Sequence, residues 1–507
     1  MAIRGIYSEA EQKMLDDFQK KSEKLTGWVK EGLSSGFAYP AHLTVTKELI
    51  DNMACVADSK NPLYRDEAYA KTTRWGGIIA PPFYYHAILH GGGLCLLEVP
   101  PEVGQLVNES VLMEHKSDFY MPIRPGDTFK IWNGPTVVED VTKDGVDQMR
   151  QYKFTRITSY INQRDEVACS NTDIHFYTIL PPDDDCGIKK SFVMETGKDH
   201  TNKKALEYTK DYVYEKDDIK KIDEMYNSEF RLGSGIRYWE DVELGEELPP
   251  IVMGPITTWD SVCSMQGFGA ARFTMNDQRA ANTHTVIVDP ATNIPYQDIE
   301  LHLTDRISKL VNSYSTTPLA PPIAHFLCRL VTNWAGDDGF IRRFSWHKLA
   351  NTPFGDTIFG RGKVIRKYIE NGEYMVDIDT RMETIRGFVT NACPITVCLL
   401  SRKKVFECNL APIFKPFAPR GSELIIESDT GVLKENMVEV KPGDRIRVKE
   451  RPDWLLGEYK VAGMTGTIVS DMEKINGYCL ATLDENVTGI DVRVPLGFRT
   501  DQIEKID

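Results

Sequence analysis

Apolar residues fall at helical spacing among charged ones in residues 8–31, where Met14, Leu15, Phe18, Leu25 and Trp28 predict one amphipathic helix. A shorter helix is predicted over about 46–57, with Thr46 placed to cap it. The next apolar run follows Pro81-Pro82, takes in Phe83, Tyr84, Tyr85, Ala87, Ile88 and Leu89, and stops at Gly91-Gly92-Gly93. Proline at the start and glycine at the end punctuate a helix, and apolar residues on nearly every side predict that it is buried. The period then changes. Runs rich in β-branched and aromatic residues at 107–120, 127–139, 147–161 and 166–178 are divided by Pro-Gly-Asp and Lys-Asp-Gly turns, which predicts an antiparallel meander.

The same order of signals then recurs. Ala80-Pro81-Pro82 and the later Gly126-Asp127-Thr128 reappear as Ala320-Pro321-Pro322 and Gly355-Asp356-Thr357. Between and after them lie a second buried helix at about 321–335 and strands at 340–350, 355–368, 372–384 and 388–402. Two diverged copies of one unit fix the architecture and allow one copy to keep the chemistry while the other shapes a pocket. The predicted organisation is a first copy over 1–180, a charged linker or helical excursion over 181–235, a second copy over 236–415, a connector over 416–435 and a small β-barrel over 436–507. The barrel is expected from short strands with Gly-rich turns, such as Pro442-Gly443-Asp444 and Gly463-Met464-Thr465-Gly466. Residues 271–295 have no counterpart in the first copy, and insertions of that length in compact domains usually serve function.

Composition narrows the class. A chain of 507 residues exceeds one core, and 41% hydrophobic with 26% charged residues is ordinary for a soluble globular protein. No apolar run is long enough for a membrane span, and the N-terminus lacks the apolar core of a signal peptide. The 10 cysteines are scattered, with no Cys-x-x-Cys pair or zinc-like spacing, so no metal is expected and a reducing cytoplasm fits. A net charge of −14 without a basic stripe argues against nucleic acid as a partner.

A long apolar helix wrapped by an antiparallel meander is the hotdog arrangement. Ala57-Asp58-Ser59-Lys60-Asn61-Pro62-Leu63-Tyr64-Arg65-Asp66-Glu67-Ala68-Tyr69-Ala70, followed by Gly76-Gly77-Ile78-Ile79-Ala80-Pro81-Pro82, closely resembles the N-terminal half of MaoC-like acyl dehydratases. Tyr238-Trp239-Glu240-Asp241, Gly254-Pro255-Ile256-Thr257 and Trp334-Ala335-Gly336-Asp337-Asp338-Gly339 resemble the C-terminal half. Together these motifs span about 30–415. The resemblance implies an α+β fold of two tandem hotdogs and an (R)-specific enoyl-CoA hydratase type of activity. The third unit looks like the SH3-like barrels of nitrile hydratase β subunits, which implies an interaction role.

In that family an Asp and a His, five residues apart in a D-x-N-P-I/L-H loop, hold the water that adds to the enoyl double bond. One group must take a proton from water while another delivers one to the α-carbon, so both must reach the same atoms. The first copy keeps Asn61-Pro62-Leu63 but has Ser59 and Tyr64 where the family has Asp and His. Such a pair supplies no base near neutral pH, so this copy is expected to be non-catalytic, with Asn61 and Asp66 holding the loop. In the second copy His302 precedes Ala320 by about the interval that separates Tyr64 from Ala80. Asp298 and His302 are therefore the expected acid/base pair, with Asp305 and His284 in reserve. A surface pair at helical spacing is the plain structural alternative. Ala320, Ile323, His325 and Phe326 open the second buried helix, where backbone N–H groups can meet an enolate-like oxygen. A lone histidine on such a helix is more often a packed core residue than a catalyst.

The expected function is reversible hydration of an enoyl-CoA to a 3-hydroxyacyl-CoA, for a bulky or unusual acyl chain, with no cofactor beyond the CoA of the substrate. A homodimer or larger assembly is expected, with a further protein partner open to the C-terminal barrel. Two alternatives stay open. One is a non-catalytic acyl-thioester-binding or scaffold subunit of a larger complex, favoured by the altered loops in both copies. The other is a hydro-lyase on a non-CoA substrate, its pocket reshaped by 271–295.

Overall fold

The computed structural model describes residues 8–29, 43–88, 99–100, 102–107, 112–142, 150–180, 208–268, 274–276, 286–289, 291–310, 313–318, 320–403, 426–435, 437–456, 458–472, 475 and 477–506. The N-terminal helix covers Glu9–Lys24, where the Glu11 amide donates to Ser8 Oγ at 3.1 Å and starts the first turn. It stops short of the predicted end at residue 31 because Gly27–Trp28 leaves the helix and pairs with Trp132 and Asn133 as a strand. Its apolar stripe, Met14 and Phe18, packs on Tyr152, Phe154, Tyr177 and Ile179 of the meander. Thr46 caps Lys47–Ala57 as its spacing predicts, accepting the Leu49 amide at 3.3 Å.

The first buried helix begins later than predicted. Phe83 has φ of 66°, a left-handed conformation that no helix contains, so Pro82 to Tyr84 form turns and the described helix is Tyr85–Ile88. The predicted Gly91-Gly92-Gly93 end lies outside the described residues. The meander consists of Leu112–Phe119, Phe129–Asn133, Val137–Asp140, Arg150–Asn162 and Val167–Leu180. The run predicted over 127–139 is two strands, interrupted at Gly134-Pro135: proline cannot donate to a ladder, and a Cβ on Gly134 would lie 3.1 Å from the Ile157 carbonyl oxygen.

The second copy follows its predicted pattern closely. Ala320–Ala335 is the long helix, wrapped by Phe340–Lys348, Ile358–Glu370, Glu373–Thr384 and Val389–Leu399. Asn371 and Gly372, both at positive φ, close the central hairpin. The two copies share one sheet. Leu112–Phe119 pairs antiparallel with Phe340–Lys348, with Lys116 opposite Ser345 at the middle of the seam. Each edge strand thereby satisfies the other. The buried Arg342 ties the join, forming an ion pair with Glu373 at 2.8 Å and donating to the Phe119 carbonyl oxygen at 2.8 Å.

Residues 445–505 form five short strands, Arg445–Val448, Thr465–Ser470, Tyr478–Leu483, Leu496–Arg499 and Ile503–Lys505, in which the last returns to pair with the first. Ile446, Ile468, Ala481, Leu496 and Phe498 fill its interior. The predicted connector contains a strand: Ile426–Val432 extends the second copy's sheet beside Ile358–Glu370. The charged stretch before the second copy holds the helix Lys216–Asn227, and residues 181–207 lie outside the described residues. Among the described residues no helix is long and apolar enough to cross a membrane.

The C-terminal unit is anchored by buried charge. Glu383 receives Arg381 Nε at 2.8 Å, Arg361 Nε at 2.9 Å and, from the terminal unit, Arg451 Nη1 at 3.2 Å. Burial opposes ionisation of Glu383, but the three guanidinium groups outweigh it and hold its carboxyl down at about 2.

Candidate functional site

The second loop lies against the segment that leads into the helix Ala320–Ala335. Val286–Val288 and Pro295–Gln297 form a two-stranded hairpin, and Arg306 pairs with Asp289 at its turn. The chain then enters a single 3-10 turn, Asp298–His302, because Glu300 accepts the Gln297 amide at 2.9 Å and locks the start. Asp298 and His302 therefore occupy the two ends of one short turn. The Asp298 side chain and all of His284 lie outside what is described.

His302 Nδ1 lies 2.8 Å from the Thr317 carbonyl oxygen, three residues before the helix Ala320–Ala335 begins. An N–H at Nδ1 donating to that carbonyl leaves Nε2 as the basic nitrogen of the neutral ring. The surrounding loop is tied down as well: Ser308 Oγ donates to the Leu301 carbonyl oxygen at 2.7 Å, and Thr258 Oγ1 to that of Leu303 at 3.1 Å. Asp305 spends its Oδ1 on the hydroxyls of Tyr208 at 2.8 Å and Thr316 at 2.7 Å, so it acts as a brace for the segment leading into the helix.

Ala320 and Ile323 lie in the first turn of that helix. His325 is buried between the rings of Phe83, 5.5 Å away, and Phe268, 5.4 Å away. Neither of its ring nitrogens has a hydrogen-bond partner among the described residues, and burial pulls its pKa down to about 3. It is a neutral packing residue, the plainer of the two sequence readings. Phe326 is core too, closing against Gly360, where an added Cβ would come within 3.0 Å of its ring.

The first loop is held as expected. Asn61 Oδ1 accepts the Leu63 amide at 3.0 Å, and Asp66 Oδ1 accepts those of Ala68 and Tyr69 at 2.9 and 3.1 Å. Asp58 is clamped by Arg231, whose Nη2 lies 2.5 Å away. Tyr64 is buried, and burial raises its hydroxyl far above the usual range, so it is no base.

Beside this loop lies a cavity of about 50 Å³, lined by Tyr64, Ala80, Phe83, Tyr85 and Cys169 from the first copy and by Asp337 from the second. Asp337 accepts the Tyr69 hydroxyl at 2.5 Å, and burial raises its pKa. The sequence pattern gives no sign of this cavity, because its walls come from distant strands and from both copies.

Residues 36–171 match the FAS1-like dehydratase domain region. Three solved structures illustrate the similarity. A MaoC-like dehydratase is 16% identical over 72% of this chain and 98% of its own, with a TM-score of 0.47. A MaoC domain protein dehydratase from Chloroflexus aurantiacus is 14% identical over 74% of this chain and 95% of its own, with a TM-score of 0.44. A Mycobacterium tuberculosis protein with a double hotdog fold is 11% identical over 72% of this chain and 96% of its own, with a TM-score of 0.39. No curated protein matches the chain.

Proposed function

We propose that the chain is an acyl-thioester hydro-lyase that reversibly hydrates an enoyl-CoA to a 3-hydroxyacyl-CoA, with Asp298 and His302 as its acid/base pair and no further cofactor. The observation that carries this reading is the match of residues 36–171 to a dehydratase domain region. The fixed tautomer of His302 supports placing the chemistry in the second copy. His302 Nε2 takes a proton from water while the water oxygen bonds to the β-carbon. The double-bond electrons move to the thioester, whose carbonyl oxygen gains negative charge opposite the amides that open Ala320–Ala335. Protonated His302 then returns its proton to the α-carbon, with Asp298 orienting the transfer, which restores the thioester and completes the addition of one water. We place this activity in a reducing, cytoplasmic setting. The seven described cysteines are all free thiols, which supports that choice.

Purified protein is expected to bleach the enoyl absorbance of crotonyl-CoA or of bulkier enoyl-CoAs. If none of these is turned over, the hydro-lyase reading on CoA thioesters fails and a thioester-binding scaffold takes its place. We also read the C-terminal unit over 436–507 as an SH3-like barrel used for contact, supported by its last strand closing on its first. The chain is expected to run as a dimer or larger in light scattering, and a monomer at micromolar concentration counts against that assembly.

A further inference from the structure

The interior of the first copy holds a polar chain that the second copy lacks. His115 Nδ1 lies 2.5 Å from Asp173 Oδ1, and its Nε2 lies 2.5 Å from the Tyr85 hydroxyl. That hydroxyl is 2.7 Å from Ser117 Oγ, which reaches Asn171 Oδ1 at 3.1 Å. All five side chains are buried, at 5% exposure or less. Burial raises the Tyr85 hydroxyl, leaving it neutral. Burial also works against the Asp173 carboxylate, but the attraction and hydrogen bond of His115, with His175 and Arg156 near, hold its pKa down.

The seam between the copies shows that the fold does not need this chain. His115 and Phe344 stand one residue before the central Lys116–Ser345 rung on their own strands. His115 faces Asp173 on the next strand, and Phe344 correspondingly faces Ile395. The second copy therefore fills the corresponding place with two apolar side chains, both buried. Replacing a buried charged pair by apolar groups of similar volume is commonly neutral or stabilising, so stability does not explain the pair in the first copy. Its position suggests what does, because Tyr85 lines the cavity beside the first loop, together with Cys169 and Phe119.

We infer that this cavity is a binding site for a hydroxyl group on a short acyl chain, received by the Tyr85 oxygen and oriented through His115 and Asp173. The one proton of Ser117 goes to Asn171 Oδ1, so Tyr85 gives its O–H to Ser117 Oγ and receives the Nε2–H of His115, whose Nδ1–H serves Asp173. One of the two lone pairs on the Tyr85 oxygen takes that Nε2–H, and the other is left for a ligand O–H. A volume of about 50 Å³ holds a few water-sized groups, enough for the end of a short chain and its hydroxyl. The inference rests on the acyl-thioester reading for the remainder of the ligand. Tyr85 is a binding residue here, and His115 and Asp173 position it.

The test is calorimetric titration of the full chain with butyryl-CoA, 3-hydroxybutyryl-CoA and 4-hydroxybutyryl-CoA. At least one hydroxylated thioester should bind roughly 3–10-fold more tightly than butyryl-CoA, the range one net hydrogen bond supplies. Tyr85→Phe should erase that preference and leave butyryl-CoA binding unchanged. The double variant H115F/D173I, which copies the second repeat, should melt no lower than the wild type and still lose the preference. Equal binding of all three thioesters overturns the inference and leaves the acyl-thioester reading standing. A preference that survives in Tyr85→Phe also overturns it. Binding of none overturns both. A double variant that unfolds shows the chain to be structural, and that result too overturns the inference.

Discussion

His302→Ala and Asp298→Asn are each expected to lower enoyl-CoA turnover by roughly 10²–10⁴-fold, the range that general acid–base catalysis supplies. Both variants should melt like the wild type, because the turn is also held by the Glu300 cap and by the Ser308 and Thr258 hydroxyls. Tyr64→Phe should change turnover far less, since the Tyr64 hydroxyl is buried and neutral. The informative readout is kcat, as a group acting on the reacting proton lowers kcat and kcat/KM together. Full activity in both second-copy variants removes Asp298 and His302 from the mechanism. The dehydratase reading would then need a different site, and of the two reserve residues Asp305 is already engaged by the Tyr208 and Thr316 hydroxyls.

The second large effect concerns stability. Glu383→Ala leaves Arg361, Arg381 and Arg451 facing one another without their shared carboxylate, and removing one partner of a buried ion pair typically costs about 3–5 kcal/mol. A loss of that size should also loosen the terminal unit, because Arg451 is one of its links to the second copy. The pH dependence follows from the sign of the shift. Glu383 is held at about 2 in the folded chain against 4.5 ordinarily, so the folded state binds its proton less readily. Its contribution is fully present above about 4.5 and is lost as the pH falls toward 2. Denaturation midpoints of the wild type should therefore drop over that window more steeply than those of Glu383→Gln, which cannot titrate there. Identical acid profiles for the two proteins would show that Glu383 does not carry the effect.

The repeat was legible in the sequence because its signals are local. Proline before a helix, Gly-Asp-Thr after a strand and an apolar run between them each depend on a few neighbouring residues. That is why the second-copy strands and the Thr46 cap lie close to where the pattern placed them. The loop-holding roles of Asn61 and Asp66 were legible for the same reason, since each caps a turn only two or three residues ahead. The late start of the first helix was not, because the left-handed Phe83 is fixed by the ring pack around it, with Phe344 4.5 Å and Phe119 5.4 Å away.

The sequence by itself determined that there are two like units, that neither loop keeps the full Asp/His pattern, and that the second copy alone offers an Asp/His pair at the corresponding place. Tertiary structure decided the rest. It set Lys116 opposite Ser345, so that two open edges became one sheet, and it brought Asp337 of one copy to the cavity of the other. It also joined His115 to Asp173 across 58 residues and showed which residues fill the equivalent rung. Periodicity reports which face of a strand is buried, and a buried face accepts a paired His and Asp as well as a Phe and an Ile. Which of these stands at a given rung acquires meaning only when strand register sets the partners side by side.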